Sequence, residues 1–221
     1  LTALGRHGDA IREYSVVVDV GSQHLGAEHW SIRDARRRRG QARFSDGDLE
    51  GATEEFRSLL VDEWQWTDGG DQEALFTGNW YCYALLKLES WEPLAEWAPS
   101  LSERSEQLNG EADVITLRFN AWAARSLLAL GEAERSVAHF ERAVRAADAA
   151  GVSGELNAGV FKYYGLALVD AGRREEAVPQ LLRCYEKMEE AGDAEPAELD
   201  LVREQLATVY EELGDRERAE A

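Results

Sequence analysis

Apolar residues recur along this chain at the spacing of one helix face, and Leu117, Ala121, Ala124, Leu127 and Leu128 show the pattern plainly. Polar and Gly-containing stretches interrupt it. The spacing predicts helices over 7–21, 30–45, 48–63, 72–88, 91–108, 113–130, 133–150, 156–170, 174–190, 197–213 and from 216 onward. Connections this short force consecutive helices to run antiparallel. Pro93 and Pro196 stand near helix starts, where a missing N–H does no harm, and Pro179 is early enough to be tolerated. Pro99 falls inside 91–108 and predicts a kink or break there.

A longer period lies over the helical one. A Gly followed five positions later by a small residue occurs as Gly5/Ala10, Gly47/Ala52, Gly131/Ser136, Gly172/Ala177 and Gly214/Ala219. The glycines are 42, 84, 41 and 42 residues apart, and the midpoint of the double gap is Glu89, with Leu94 five residues on. A second small position precedes each slot by seven residues: Gly40, Cys82, Ala124, Gly165 and Ala207. A bulky position follows in Tyr14, Phe56, Phe140 and Leu181, with Ala98 in the degenerate copy. The physical reading is direct. A small residue midway along a helix lets its neighbour approach, and the bulky residue fills the space between the two helices. A Gly at the helix end supplies the left-handed C-cap.

These slots resemble the tetratricopeptide repeat family, most clearly in Gly40, Gly47, Ala52 and Phe56 and again in Ala124, Gly131, Ser136 and Phe140. The 42-residue period resembles the longer variant of kinesin light chains and bacterial regulatory proteins. Echoes of its opening phrase stand at Gly26–His29, at Gly110 through Leu117 and at Gly192 through Leu199. The resemblance implies an all-α fold, a right-handed superhelical solenoid of about five antiparallel helix pairs with partial ends. Copies would span about 1–24, 25–67, 68–109, 110–151, 152–192 and 193–221, forming one domain. The family's aromatic slot holds Arg36, Gly78, Asn120, Phe161 and Arg203, so the chain departs from the family there in every copy but that of Phe161. Residues 1–4 read as the tail of a first helix and Asp215–Ala221 as the start of a second, so an excerpt of a longer protein is expected.

Composition narrows the function. There are 24 Lys plus Arg against 43 Asp plus Glu, a formal charge of −19, which argues against direct nucleic-acid binding and against an anionic membrane surface. At 44% hydrophobic the chain can pack a core. No apolar run approaches a membrane span. Cys82 and Cys184 lack metal-ligand spacing and read as free thiols of a reducing, cytoplasmic compartment, with a disulfide as the alternative. Few lysines beside abundant Arg, Ala and Glu suggest a bacterial source. His7, His24, His29 and His139 are scattered, no phosphate loop occurs, and no cofactor, metal or enzyme activity is expected.

Two local features stand out. The first is the run Arg33, Arg36, Arg37, Arg38, Arg39 and Arg43, whose four consecutive members cover every face of a helix. Either their stems pack while the heads pair with Asp34, Glu50, Glu54 or Glu55, or the run is a site for carboxylates or phosphates. The second is an aromatic patch of Trp64, Trp66, Trp80, Trp91 and Trp97 with Tyr81 and Tyr83, which either fills space around the degenerate copy or offers a binding or self-association surface. The family resemblance further implies a concave groove lined by the first helix of each pair. Here that would be Arg33, Arg37, Gln41, Phe76, Asn79, Tyr83, Arg118, Arg125, Lys162 and Leu166. The expected function is a non-enzymatic scaffold for a protein or peptide carrying acidic groups. The alternatives are a sensing module of a larger bacterial signalling protein and a homo-oligomerising module.

Overall fold

The computed structural model describes residues 5–151, 155–192 and 196–219. The expectation for residues 1–4 lies outside them. Among the described residues there are eleven helices and no strand. They are α1 His7–Leu25, α2 Trp30–Asp46, α3 Leu49–Trp66, α4 Gln72–Lys87, α5 Trp91–Asn109, α6 Val114–Ala129, α7 Ala133–Ala150, α8 Glu155–Asp170, α9 Arg174–Ala191, α10 Pro196–Glu212 and α11 Arg216–Ala219. Each follows the period read from the sequence. The largest departure is α1, which runs on to Leu25 and stops where Gly26 adopts a positive φ of 85°.

Helix ends are written locally. Asp48 accepts from Gly51 N, Asp71 from Ala74 N, and Asp113 from Ile115 N and Thr116 N, so side-chain oxygens satisfy first-turn donors. At the other ends the chain closes α2 and α6 with one motif. Gly47 N donates to Phe44 O while Asp48 N donates to Arg43 O; Gly131 N donates to Leu128 O while Glu132 N donates to Leu127 O. The degenerate copy repeats it without glycine: Ser90 N donates to Leu85 O at 2.9 Å, and Glu89 is held at φ 52°. A side chain there is strained, so Glu89→Gly is expected to stabilise the protein by about 1 kcal/mol. Urea unfolding checks this, and an unchanged or lower midpoint would contradict it.

Of the kink or break expected at Pro99, the break does not occur; the helix is continuous from Trp91 to Asn109. Leu94, Ala98, Leu101 and Ser102 are all fully buried on either side of it. Packing on that face outweighs one lost backbone hydrogen bond.

The chain forms two compact units, Leu1–Leu108 and Asn109–Ala221. In the first, consecutive helices meet closely at two glycines, Gly40 of the small slot and Gly78 of the aromatic slot. A Cβ at Gly40 would lie 2.6 Å from Phe56 Cε1, and one at Gly78 would lie 2.6 Å from Leu101 Cδ2. Phe56 stacks on Trp80 with centroids 6.0 Å apart, so its ring links α2, α3 and α4. In the second unit the slot at Ala124 is bridged by Ser136, whose Oγ donates to Ala124 O at 2.8 Å. Gly165 takes Leu181, and Phe140 stacks on Tyr164. Cys82 and Cys184 are free and buried, and burial pushes the Cys184 thiol up to about 11.

Candidate partner-binding surface

The arginines of α2 are paired from end to end. Arg36 donates to Asp62 at 2.7 Å and to Ser58, and its Nε lies 3.6 Å from Glu55. Arg38 meets Asp34, and Arg43 meets Asp48. Arg39 holds Glu55 through two hydrogen bonds of 2.8 and 3.0 Å, a two-pronged match of guanidinium to carboxylate. Asp34 and Glu55 are therefore partners, as expected of a packed run. Glu50 and Glu54 are not, and Glu54 instead takes Arg57 on its own helix. The remaining partners come from α3 and α4 and from Asp48 and Asp71, which cap their N-termini.

Arg37 lies deepest. Its Nε donates to Thr77 Oγ1 at 3.0 Å and its Nη2 to Glu63 Oε1 at 3.0 Å, while Nη1 sits 2.6 Å from Glu73. Arg33 lies 3.8 Å from Glu63 and 3.9 Å from Asp71. This cluster binds α2 to α3 and α4. Glu63 is fully buried, and burial pushes its carboxyl above the usual range against the pull of the Thr77 hydroxyl and of Arg37 and Arg33. Arg33 and Arg37, two of the expected groove cations, thus direct their charge at carboxylates of their own chain.

The other expected groove residues of this unit line α2 and α4. Gln41 and Asn79 are half-buried, and the Asn79 amide oxygen has no hydrogen-bond partner among the described residues. Tyr83 stacks on Phe44 at 5.2 Å, and Phe76 is exposed.

The aromatic patch divides in two. Trp64, Tyr81 and Trp97 meet edge to face, with Trp97 5.8 Å from Trp64 and 6.3 Å from Tyr81. Trp80 belongs to a separate group with Phe44, Phe56 and Tyr83. Trp91 is half-buried and belongs to neither group, and Trp66 is exposed. Gly70 closes under Trp64, since a Cβ there would lie 2.8 Å from the ring. Most of these rings fill space between α3, α4 and α5.

The second unit places its groove cations differently. Arg118 and Arg125 stand seven residues apart on α6, and Lys162 and Tyr163 stand on α8. Arg125 lies 4.2 Å over the Tyr163 ring and donates to its hydroxyl at 3.2 Å. Lys162 approaches the same ring at 5.9 Å. All three cations are half-buried, and none forms an ion pair among the described residues. Sequence reasoning placed them on one face together with Arg33 and Arg37. It did not separate the paired cations of α2 from the unpaired ones of α6 and α8, because pairing depends on which residues α3 and α7 bring opposite them.

Among the described residues no group of His, Cys, Asp and Glu is arranged to hold a metal, and no helix is long and apolar enough to cross a membrane.

No family model matches this chain, and no curated protein matches it. Solved structures do. BtubC (BKLC) from P. vanneervenii superposes with a TM-score of 0.69 at 17% identity, over 97% of this chain and 87% of that one. A Podosopora anserina kinesin-light-chain structure with nearly identical TPR-like repeats gives 0.66 at 16% identity, over 87% and 92%. The MamA protein gives 0.61 at 18% identity, over 88% and 89%. The fold is that of tetratricopeptide-like helical repeats.

Proposed function

We propose that this TPR-like chain is a non-enzymatic scaffold that binds a protein or peptide partner carrying carboxylates, and that Arg118, Arg125 and Lys162 receive them. One observation carries the reading. In a chain of charge −19, Arg125 and Lys162 converge on the Tyr163 ring, and neither these two nor Arg118 forms an ion pair among the described residues, while the arginines of α2 are all paired. Half-buried cations of this kind bind a carboxylate with less competition from water than exposed ones do. Tyr163 adds a flat surface beside them. Buried free thiols suit a reducing, cytoplasmic setting.

The test is fluorescence anisotropy with a short Asp-rich peptide and its Asn counterpart. The Asp peptide is expected to bind and the Asn peptide not. Replacing Arg118, Arg125 and Lys162 together by Ala is expected to weaken binding at least about tenfold, worth about 1.4 kcal/mol. Equal binding by the two peptides, or by the triple variant, would defeat the proposal.

A further inference from the structure

Among the described residues nothing packs into the space that Gly159 of α8 leaves. Other glycines inside the helices make room for a neighbour. An added Cβ would lie 2.5 Å from Ile32 at Gly21, and 2.6 Å from Phe56 at Gly40, from Leu101 at Gly78 and from Leu181 at Gly165. At Gly159 it would meet no other side chain within 4 Å among the described residues. Gly159 lies within α8 and does not take a positive φ, so no turn requires it either. Glycine weakens a helix relative to alanine, and what it commonly allows in exchange is the close approach of another segment.

The repeat isolates the same residue. The positions thirteen residues before Gly47, Glu89, Gly131, Gly172 and Gly214 are Asp34, Phe76, Arg118, Gly159 and Leu201. Four copies carry a side chain there, and none of the four is buried. The position therefore belongs to the surface of the first helices, and α8 alone leaves it bare. Gly159 precedes Lys162 by three residues and Tyr163 by four, so it shares their face of the helix. Arg125 lies over the Tyr163 ring at 4.2 Å and Lys162 approaches it at 5.9 Å. The bare position borders the cations that form no ion pair among the described residues.

We propose that the main chain of the partner crosses α8 in extended form against Gly159, and that a carboxylate beside the crossing point reaches Lys162 and Arg125. The inference rests on the acidic-partner reading and specifies the partner as an extended segment. Three residues of helix advance about 4.5 Å. An extended chain covers that distance in one or two residues at about 3.3 Å each. The carboxylate therefore stands one or two residues from the point of crossing. A side chain at position 159 would hold the partner's main chain away and lengthen its reach to the cations.

Gly159→Ala and Gly159→Leu, titrated with the Asp-rich peptide by fluorescence anisotropy, test this. The alanine variant is expected to melt about 2–4 °C above the unchanged chain, because the fold leaves the space open. Gly165→Ala is expected to melt below it, because Leu181 occupies that space. Gly159→Leu is expected to keep its circular dichroism and to weaken peptide binding at least about tenfold, although Arg118, Arg125 and Lys162 remain. The Hα protons of Gly159 in the unchanged chain are expected to show nuclear Overhauser contacts with peptide Hα protons. If the unchanged chain binds the peptide and Gly159→Leu binds it equally, this proposal falls and the acidic-partner reading stands. If the unchanged chain does not bind, both fall. A Gly159→Ala chain that melts lower would show that the glycine serves the fold, and that also overturns the proposal.

Discussion

Phe56→Ala is expected to cost about 3–5 kcal/mol, the largest loss from a single core position in the first unit. The ring is fully buried, lies against Gly40 of α2 and stacks on Trp80 of α4. Removing it takes contacts from three helices at once. Gly40 has no side chain to move into the space, so little of the cavity can collapse. Urea unfolding followed by circular dichroism measures the loss, and tryptophan emission should shift as Trp80 loses its neighbour. A cost below about 1 kcal/mol would mean that the ring is not the wedge between these helices.

Glu63→Leu is expected to be nearly as damaging, at about 3–5 kcal/mol, but for an electrostatic reason. The change leaves Arg37, itself buried, with only Thr77 and the half-exposed Glu73, and it removes the nearest carboxylate from Arg33. The upward shift of the Glu63 carboxyl shows that burial outweighs attraction to the two arginines. Its linkage sign follows. The contribution of this group to stability is complete below the unfolded carboxyl pKa of about 4.3 and is lost as pH rises through the higher folded value. Ionised, the pair is a net burden on the fold that becomes costlier when halved. Arg37→Met combined with Glu63→Leu should therefore recover most or all of the single-variant loss. A double variant as unstable as the single would show that the ion pair itself stabilises α2 against α3.

The repeat made the fold legible before any coordinates. Its glycines fall where the chain turns left-handed, and Gly40 and Gly165 sit against the bulky residues Phe56 and Leu181 of the next helix. Glu89 was legible as the odd copy, and it keeps the turn at the expense of strain. The fate of Pro99 was not legible, because continuity of α5 depends on the packing of Leu94 and Leu101 rather than on propensity. The partners of the arginines were only half legible. Asp34 is one turn away on the same helix, and Glu55 is one of the three carboxylates that the first turns of the facing helix offer. Glu63 and Glu73 lie 26 and 36 residues from Arg37 and come near only through the stacking of helices. For the same reason the sequence put Arg33, Arg37, Arg118, Arg125 and Lys162 on one binding face and could not divide them by their neighbours. The aromatic residues likewise read as one patch and pack as two groups, separated by the turn of α4 between Trp80 and Tyr81.

The most direct test of a scaffold that receives acidic partners on α6 and α8 is nuclear magnetic resonance titration of the isotope-labelled chain with the Asp-rich peptide. Saturable shifts are expected at the side chains of Arg118, Arg125, Lys162 and Tyr163, with Arg33 and Arg37 unmoved. Shifts centred on Arg33 and Arg37, or no saturable shift on α6 and α8, would contradict it.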